Sequence, residues 1–261
     1  MKVRLLVILL VLACVFPYMA NADKNNSSLE KLDQISDEAL QMVKLHRYED
    51  AKKLLQYFSD QFVVVTGTNN LLTMDELRVL TASHNEAVQA AASVSMNHDE
   101  RLNSVIKFRL VMDTLSSSYQ PMWTEMKAPV MSVLGNVKES VQAGDRENFH
   151  ANLNSFLALY DIIYPSLKID VEPDRMQQLD ARVTFIDKYR SQVLEKVESQ
   201  EELESLDSDL QMIFDEVSED EADPSLWWVI ISTGSIIILT LSYVGWRKYK
   251  GDKKKEKKSE S

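Results

Sequence analysis

The fold is decided by residues 29–62, which read LEKLDQISDEALQMVKLHRYEDAKKLLQYFSDQF. Apolar side chains recur there every three or four positions, first from Leu29 to Val43 and again from Tyr48 to Phe62. This is the spacing of one face of an α-helix. The polar pair His46-Arg47 interrupts the stripe between the two runs. The stretch therefore predicts an antiparallel pair of helices joined by a short turn.

Helix is also the expected state of the chain that follows this hairpin. Between Asp23 and Asp223 the sequence holds only three glycines and four prolines, too few breakers for a β-rich fold with many turns. The run Phe62-Val63-Val64-Val65, an aromatic residue followed by three β-branched ones, predicts one short strand as an alternative to helix. Thr73 and Glu76 have the form of a capping box at the start of a further helix. We expect an all-α fold, with about seven helices packed as a bundle.

Single residues set several of the expected boundaries in the C-terminal half. Asp145 is placed to cap a very apolar helix, which Pro165 is expected to end. Residues 166–172 are then expected to form a short extended link. Pro173 suits the first turn of an amphipathic helix that continues to about Val197. A last helix carries apolar residues at helical spacing from Leu203 to Phe214.

Near the C-terminus, residues 226–246 read LWWVIISTGSIIILTLSYVGW, a run of 21 residues without a charge. At about 1.5 Å per residue, a helix of this length reaches roughly 31 Å, which matches a hydrocarbon core of about 30 Å. We interpret it as a transmembrane helix rather than a buried core helix. Its expected membrane-anchoring residues are Trp227, Trp228, Tyr243, Trp246, Arg247, Lys248 and Lys250.

The N-terminus has the pattern of a secretory signal peptide, residues 1–22. A basic start, Met1–Arg4, precedes an apolar run from Leu5 to Phe16, and Ala20 and Ala22 are the small residues expected at the cleavage site. Two alternatives are retention of the leader as a second anchor and lipidation of Cys14, the single cysteine. Cleavage after Ala22 would leave no cysteine, and therefore no disulfide and no zinc–thiolate site.

These segments predict a topology in which the middle of the chain is exported. Residues 23–216 are expected to form the extracytoplasmic helical domain, 217–225 an acidic juxtamembrane linker, and 247–261 a basic cytoplasmic tail, as expected from the bias of Lys and Arg towards the cytoplasm. The protein is thus expected in the cell membrane with a single pass, and the lipid bilayer is its first expected partner.

Charge is distributed unevenly along the chain. The whole carries −11, but residues 23–246 hold 19 basic and 37 acidic side chains, a net of −18. Such a surface repels nucleic acid, so no nucleic-acid partner is expected. Thirteen acidic residues lie between Glu195 and Asp223. We interpret them as a solvated stalk, the alternative being an acidic docking face or a calcium-attracting stretch.

No motif for catalysis or cofactor binding is found in the sequence. The four histidines, at 46, 84, 98 and 150, are far apart, and neither a nucleophile elbow nor a glycine-rich phosphate loop is present. Glu147 and His150 form a single Glu-x-x-His pair, whereas a di-metal bundle needs two such pairs and two further glutamates. The prediction is therefore a protein that is not an enzyme, with no catalytic residues, no cofactor and no metal site.

The full layout resembles the sporulation protein YpjB family of endospore-forming bacteria. The likeness rests on the leader, the helical region that includes Leu32 to Phe62, and the entry into the membrane helix at Pro224-Ser225-Leu226-Trp227-Trp228, which is followed by a Lys-rich tail. The resemblance implies a membrane protein that contributes to spore formation and has no assigned enzymatic activity. It implies no particular binding residues.

Two function classes follow as hypotheses. The first is a non-catalytic binding or scaffolding module whose exported bundle meets another protein outside the cytoplasm. The alternative is a sensory or signal-relay subunit that couples the bundle through the single helix to a cytoplasmic partner at the basic tail. The sequence leaves the partner and the oligomeric state open.

Overall fold

The computed structural model describes residues 23–68, 71–117, 120–219, 231, 233–235, 237, 238 and 240–242. Throughout these residues the regular structure is helical, which confirms the all-α fold class. The helices are α1 Asp23–Lys44, α2 Tyr48–Thr68, α3 Met74–Ala92, α4 His98–Ser116, a 3₁₀ helix Met122–Met126, α5 Lys127–Gln142, α6 Arg146–Asp170, α7 Pro173–Lys188, α8 Arg190–Glu195 and α9 Val197–Glu219. The described part thus holds more helices than the seven expected.

The first four helices form an up-and-down bundle. Each packs against the next in the chain, and α1 also packs against α4, which closes the ring of contacts. The apolar stripe of residues 29–62 supplies much of this core, as its periodicity predicts. The largest buried side chains there include Leu32, Leu55, Phe58, Phe108 and Met112.

Helix α4 is the central helix of the fold, because it packs against α1, α3 and α6. A helix buried on several sides is usually apolar all round, yet α4 also buries Arg101, Lys107 and Arg109. Each of these basic side chains is paired with polar groups of other segments, so their burial is compensated. The pairs fix how the neighbouring helices sit against α4.

Beyond the first four helices, α6 packs against α4, and α5 packs against α6. Helices α5 and α6 form a hairpin at Gly144, whose φ of 67° lies in the left-handed region, and the Asp145 side chain accepts a hydrogen bond from the Asn148 amide. The expected Asp145 cap is therefore confirmed. Trp123, from the 3₁₀ helix, is fully buried, and its ring lies 5.3 Å from that of Phe214.

The expected strand at Phe62–Val65 is wrong, because α2 continues through it to Thr68. Phe58, Phe62 and Val65 lie at helical spacing and pack against the core of the bundle, and Thr66 Oγ1 donates to the Phe62 carbonyl one turn back. Packing of this face outweighs the preference of three successive valines for extended backbone.

Pro165 does not end its helix, so the extended link expected at 166–172 is also wrong. Helix α6 continues to Asp170, with Ser166 and Leu167 buried after the proline. Proline removes only one donor, to the carbonyl of Asp161, and burial of the following turn keeps the helix intact. The helix that starts at Pro173 breaks at Tyr189 and does not run unbroken to Val197.

The first part of the acidic C-terminal stretch is not the solvated stalk expected from the sequence. Up to Phe214, α9 buries apolar side chains such as Leu203, Leu206 and Leu210. Its acids meet cations of other helices: Lys138 of α5 lies 2.7 Å from Glu204 and 3.0 Å from Asp207. The stalk interpretation is therefore wrong for this part of α9.

Residues Asp215–Ser261 form a separate unit. Helix α9 extends to Glu219, so the first three residues of the expected linker 217–225 are helical, and the rest lie outside the described residues. The described residues between 231 and 242 are helical too. Among all described residues, no helix is both long and apolar enough to cross a membrane. More than half of the expected span 226–246 lies outside the described residues. The transmembrane helix therefore stays a prediction.

Candidate functional site

A concave surface lies between α3, α6 and α7. Two adjoining cavities of about 320 Å³ and about 420 Å³ share Arg78, Val79 and Lys168 and together form what we call the α3–α6–α7 groove. Its walls come from residues 75–86 of α3, 161–171 of α6 with its C-cap, and 173–180 of α7, with Lys107 of α4 between them. Cavities of this size are typical of ligand sites.

Lys107 closes the α4 side of the groove with a network of ion pairs. Its Nζ atom donates to Asp161 Oδ2 at 2.6 Å and to Glu86 Oε1 at 2.9 Å, so it joins α3, α4 and α6. Burial favours the neutral amine, but the hydrogen bonds and charges of Asp161 and Glu86 outweigh it and raise the pKa of Lys107. The side chain therefore stays protonated, and its charge is neutralised within the protein.

Two tyrosines hold the α7 wall of the groove. The hydroxyl groups of Tyr160 and Tyr164 donate to the two carboxylate oxygens of Asp180, each at 3.0 Å. Burial, followed by the nearby Asp180 carboxylate, raises the pKa of Tyr164 to about 12 and shifts that of Tyr160 in the same direction. Both phenols thus remain protonated donors that fix α7 on α6.

A second cluster lies where the α1–α2 turn meets the start of α4. The rings of His46 and His98 stack 4.0 Å apart, and the Tyr48 hydroxyl is 2.9 Å from His98 Nδ1. The Arg101 guanidinium lies 4.4 Å from the centroid of the Tyr48 ring and donates to the Ala90 carbonyl. A cavity of about 310 Å³ borders this histidine cluster.

His46 has an unusual backbone conformation. Its φ of 59° is left-handed, and the amides of His46 and Arg47 donate to the carbonyls of Val43 and Met42. This is the Schellman arrangement that ends a helix, in which the left-handed position is usually glycine. The histidine occupies it at some conformational cost, and its ring is thereby placed against His98.

A third cluster surrounds the buried Arg109. Its guanidinium makes two hydrogen bonds to the Asp33 carboxylate, of 2.6 Å and 3.2 Å, and lies 3.6 Å from Asp113. Burial raises the pKa of Asp113, although its carboxylate accepts a hydrogen bond from the Met122 amide. Asp170 is an exposed residue, but its Oδ2 atom lies 2.6 Å from Nε1 of the buried Trp123, and the partial burial of its carboxyl group raises its pKa to about 6.

The residues expected from the sequence to act at the membrane cannot be compared with this geometry. Ala20, Ala22, Trp227, Trp228, Tyr243, Trp246, Arg247, Lys248 and Lys250 all lie outside the described residues. Glu147 is in the first turn of α6, as expected, and the His150 ring lies beside Phe149. Within the described ranges, no group of three side chains of the metal-ligand types comes together.

The sequence reasoning missed the contact between His46 and His98. A signal for it exists, because in an up-and-down bundle the α1–α2 turn and the α3–α4 loop lie at the same end. It also missed the groove, since neither Arg78 nor Lys168 belongs to a recognisable motif. His84 differs from His46 and His98 because it is buried next to Phe58 and Phe108. Burial lowers the pKa of its imidazole.

Together, the helices and the groove define an all-helical domain. Its central helix, α4, carries buried charged side chains. The model of the family described as Sporulation protein YpjB (SpoYpjB) matches residues 29–258, and the chain belongs to this family. It is 37% identical over 258 residues to the "Uncharacterized protein YpjB" of Bacillus subtilis (strain 168), which covers 98% of this chain and 97% of that relative. No solved structure gives a significant match.

Proposed function

We propose that this protein is a membrane-anchored, non-catalytic binding module of sporulation, whose helical domain holds another protein outside the cytoplasm. Residues 226–246 anchor it with a single pass, and the basic tail 247–261 stays in the cytoplasm. The observation that carries the proposal is the α3–α6–α7 groove. Ion pairs and hydrogen bonds join the helices that form its walls, and preorganised surfaces bind with a smaller loss of entropy.

The charge states of the groove support binding rather than chemistry. General acid–base catalysts have pKa values near the working pH. The pKa values of Lys107 and Tyr164 are shifted away from neutrality. Each ordinary value already lies above 7, and in this protein each is raised further. Both groups are used to hold helices together.

Replacement of the anchor and tail tests this function against the relay alternative. Residues 226–261 are exchanged for an unrelated stop-transfer helix with a neutral tail, and the chimaera is expressed in sporulating cells that lack the native protein. A binding module should restore spore formation, because the bundle remains in place outside the membrane. Loss of function in a chimaera that is inserted at normal abundance would contradict the proposal and favour the relay.

The catalytic possibility is tested by substitution of the side chains with the greatest chemical capacity. His46, His98, His150 and Glu147 are changed singly to Gln or Asn in the intact protein. Spore formation should persist in each variant that reaches normal abundance. A variant that is stable and abundant but inactive would contradict a non-catalytic role.

A further inference from the structure

The connection between α2 and α3 carries no charged side chain. Residues 61–74 read QFVVVTGTNNLLTM and hold no Asp, Glu, Lys or Arg, although these four types make up 26% of the chain. Half of these 14 residues are apolar. We call the stretch the α2–α3 tip; it comprises the end of α2, the connection and the first residue of α3. It is an uncharged segment in a region whose net charge is −18.

Several apolar side chains of the α2–α3 tip are exposed. Val63, Val64 and Met74 are 69%, 64% and 74% exposed. Leu71 and Leu72, in the connection, are half-buried. Single exposed apolar residues are ordinary, but several within one uncharged stretch indicate a surface that contacts a partner or a membrane.

Hydrogen bonds show at which end of the bundle the tip lies. The Lys31 ammonium group of α1 donates to the Gln61 side chain at 2.7 Å. Two residues further along α1, the Asp33 carboxylate accepts a hydrogen bond from Ser116, the last residue of α4. The tip therefore lies at the end of the bundle where α4 ends.

Phe214, the last residue of the compact helical unit, lies at this same end. Asp113, one turn before the end of α4, accepts a hydrogen bond from the Met122 amide. The ring of the next residue, Trp123, lies 5.3 Å from that of Phe214. The chain therefore leaves the helical unit at the end that carries the α2–α3 tip.

The length of chain that follows Phe214 indicates which surface this end can reach. Eleven residues, 215–225, separate it from the proposed span 226–246. Even fully extended, they reach only about 40 Å. A short tether of this kind holds the tip at a high effective concentration beside the bilayer, so that a weak apolar contact is sufficient.

The opposite end of the bundle suits a membrane surface less well. It also exposes apolar side chains, since Leu45 and Val94 are 62% and 99% exposed. Leu45, however, is flanked by Lys44 and Arg47. That end also lies a helix length from the exit of the chain, roughly 31 Å for the 21 residues of α2.

We propose that the α2–α3 tip lies against the surface of the lipid bilayer, with Val63, Val64 and Met74 inserted at the boundary between headgroups and acyl chains. The contact is driven by burial of apolar surface, because the tip has no cation to attract anionic lipid. This inference rests on the proposed function, from which it takes the anchor. It adds an orientation to that function: the end with His46 and His98 is directed away from the membrane.

Fluorescence quenching in vesicles tests the contact. The full-length protein with Cys14→Ser and Met74→Cys is labelled with an environment-sensitive fluorophore and reconstituted into phosphatidylcholine vesicles. Phosphatidylcholine that carries a spin label on its acyl chain should quench this fluorophore. The same label at Val94→Cys, at the opposite end, should not be quenched.

Two matched double variants show whether the exposed valines make the contact. Val63→Glu/Val64→Glu puts two charges on the tip, so lipid quenching of the label at position 74 should be lost. Leu45→Glu/Val94→Glu puts the same two charges at the opposite end, also at exposed positions. Quenching at position 74 should persist in that variant.

Three results would overturn the tip assignment. They are equal quenching at positions 74 and 94, quenching at position 74 that survives Val63→Glu/Val64→Glu, and a label at position 74 that is shielded from water but not quenched by lipid. The last result would mean that a second protein copy covers the tip.

Extraction of the vesicles with alkaline carbonate separates failure of the tip assignment from failure of the proposed function. If the protein stays in the vesicles and the label at position 74 is not quenched, the tip assignment fails alone. If carbonate strips the protein from the vesicles, no membrane anchor exists, and the proposed membrane-anchored function fails with it.

Discussion

The imidazole rings of His46 and His98 stack with their centroids 4.0 Å apart and their planes 6° from parallel. This contact ties the turn between α1 and α2 to the start of α4. His46 stands at a left-handed backbone position, where glycine would be less strained. The ring stack stabilises the folded protein, whereas the backbone strain at His46 destabilises it.

The balance predicts that the effect of His46→Gly depends on His98. In a His98→Ala background the glycine should raise the free energy of unfolding by about 0.5–1 kcal/mol, because the strain is removed and no stack is left to lose. In the wild-type background the gain should be smaller or reversed, since the ring contact is lost. Urea denaturation of the four proteins measures this. Equal effects in both backgrounds would show that the rings are not coupled.

Arg109→Met should be among the most damaging single changes in the bundle. It leaves the carboxylates of Asp33 and Asp113 without their cation, and breaking a buried pair in this way typically costs about 3–5 kcal/mol. Arg109→Lys keeps the charge but loses the two-pronged contact, so its loss should be smaller. Lys44→Met, at an exposed position, is the control in the same urea titrations. A loss no larger than that of the control would mean that Arg109 does not stabilise the bundle.

Asp170 should make stability depend on pH below neutrality. Its pKa is raised from 3.8 to about 6 by burial, so between these values the folded protein holds a proton that the unfolded chain has released. The contribution is fully present below the unfolded pKa and is lost as the pH rises through 6. Asp170→Asn, whose amide oxygen can still accept from Trp123, should therefore be more stable than the wild type at pH 7.5.

The same variant provides the internal control for this pH effect. Thermal denaturation of both proteins from pH 4 to pH 7.5 should show a smaller fall in midpoint temperature for Asp170→Asn. If the two curves stay parallel throughout, the Asp170 carboxyl group does not titrate in this range in the folded protein.

Topology is tested by labelling with a membrane-impermeant maleimide. With Cys14 replaced by Ser, single cysteines are introduced as Ser155→Cys on the exposed surface of α6 and as Ser259→Cys in the basic tail. Ser155→Cys should be labelled in intact cells, and Ser259→Cys only after lysis. Labelling of the tail, but not of α6, in intact cells would contradict an exported bundle.

Local features of the fold could be predicted from the sequence because they depend on neighbouring residues. The capping box of Thr73 and Glu76 forms as expected, with the Thr73 amide donating to the Glu76 carboxylate at 2.6 Å. The errors at Phe62–Val65 and Pro165 share one cause. In both places, packing against distant residues outweighs a local preference for ending the helix.

The candidate site was not predictable in the same way, because its groups come from distant parts of the chain. Lys107 and Asp161 are 54 residues apart, and Tyr160 and Asp180 are on different helices. A charged residue on a helical pattern is most often solvated, so nothing local separates Lys107 from an ordinary surface lysine. Only the packing of α4 between other helices makes the difference.

Site-specific photocrosslinking in sporulating cells tests most directly whether the helical bundle holds another protein outside the cytoplasm. A photoreactive residue replaces Ala82, which is exposed and lines the groove, or Gln211, which is exposed on α9. Illumination should give one discrete adduct with another protein from position 82 and none from position 211. Absence of any adduct from every exposed position of the bundle would contradict the proposed function.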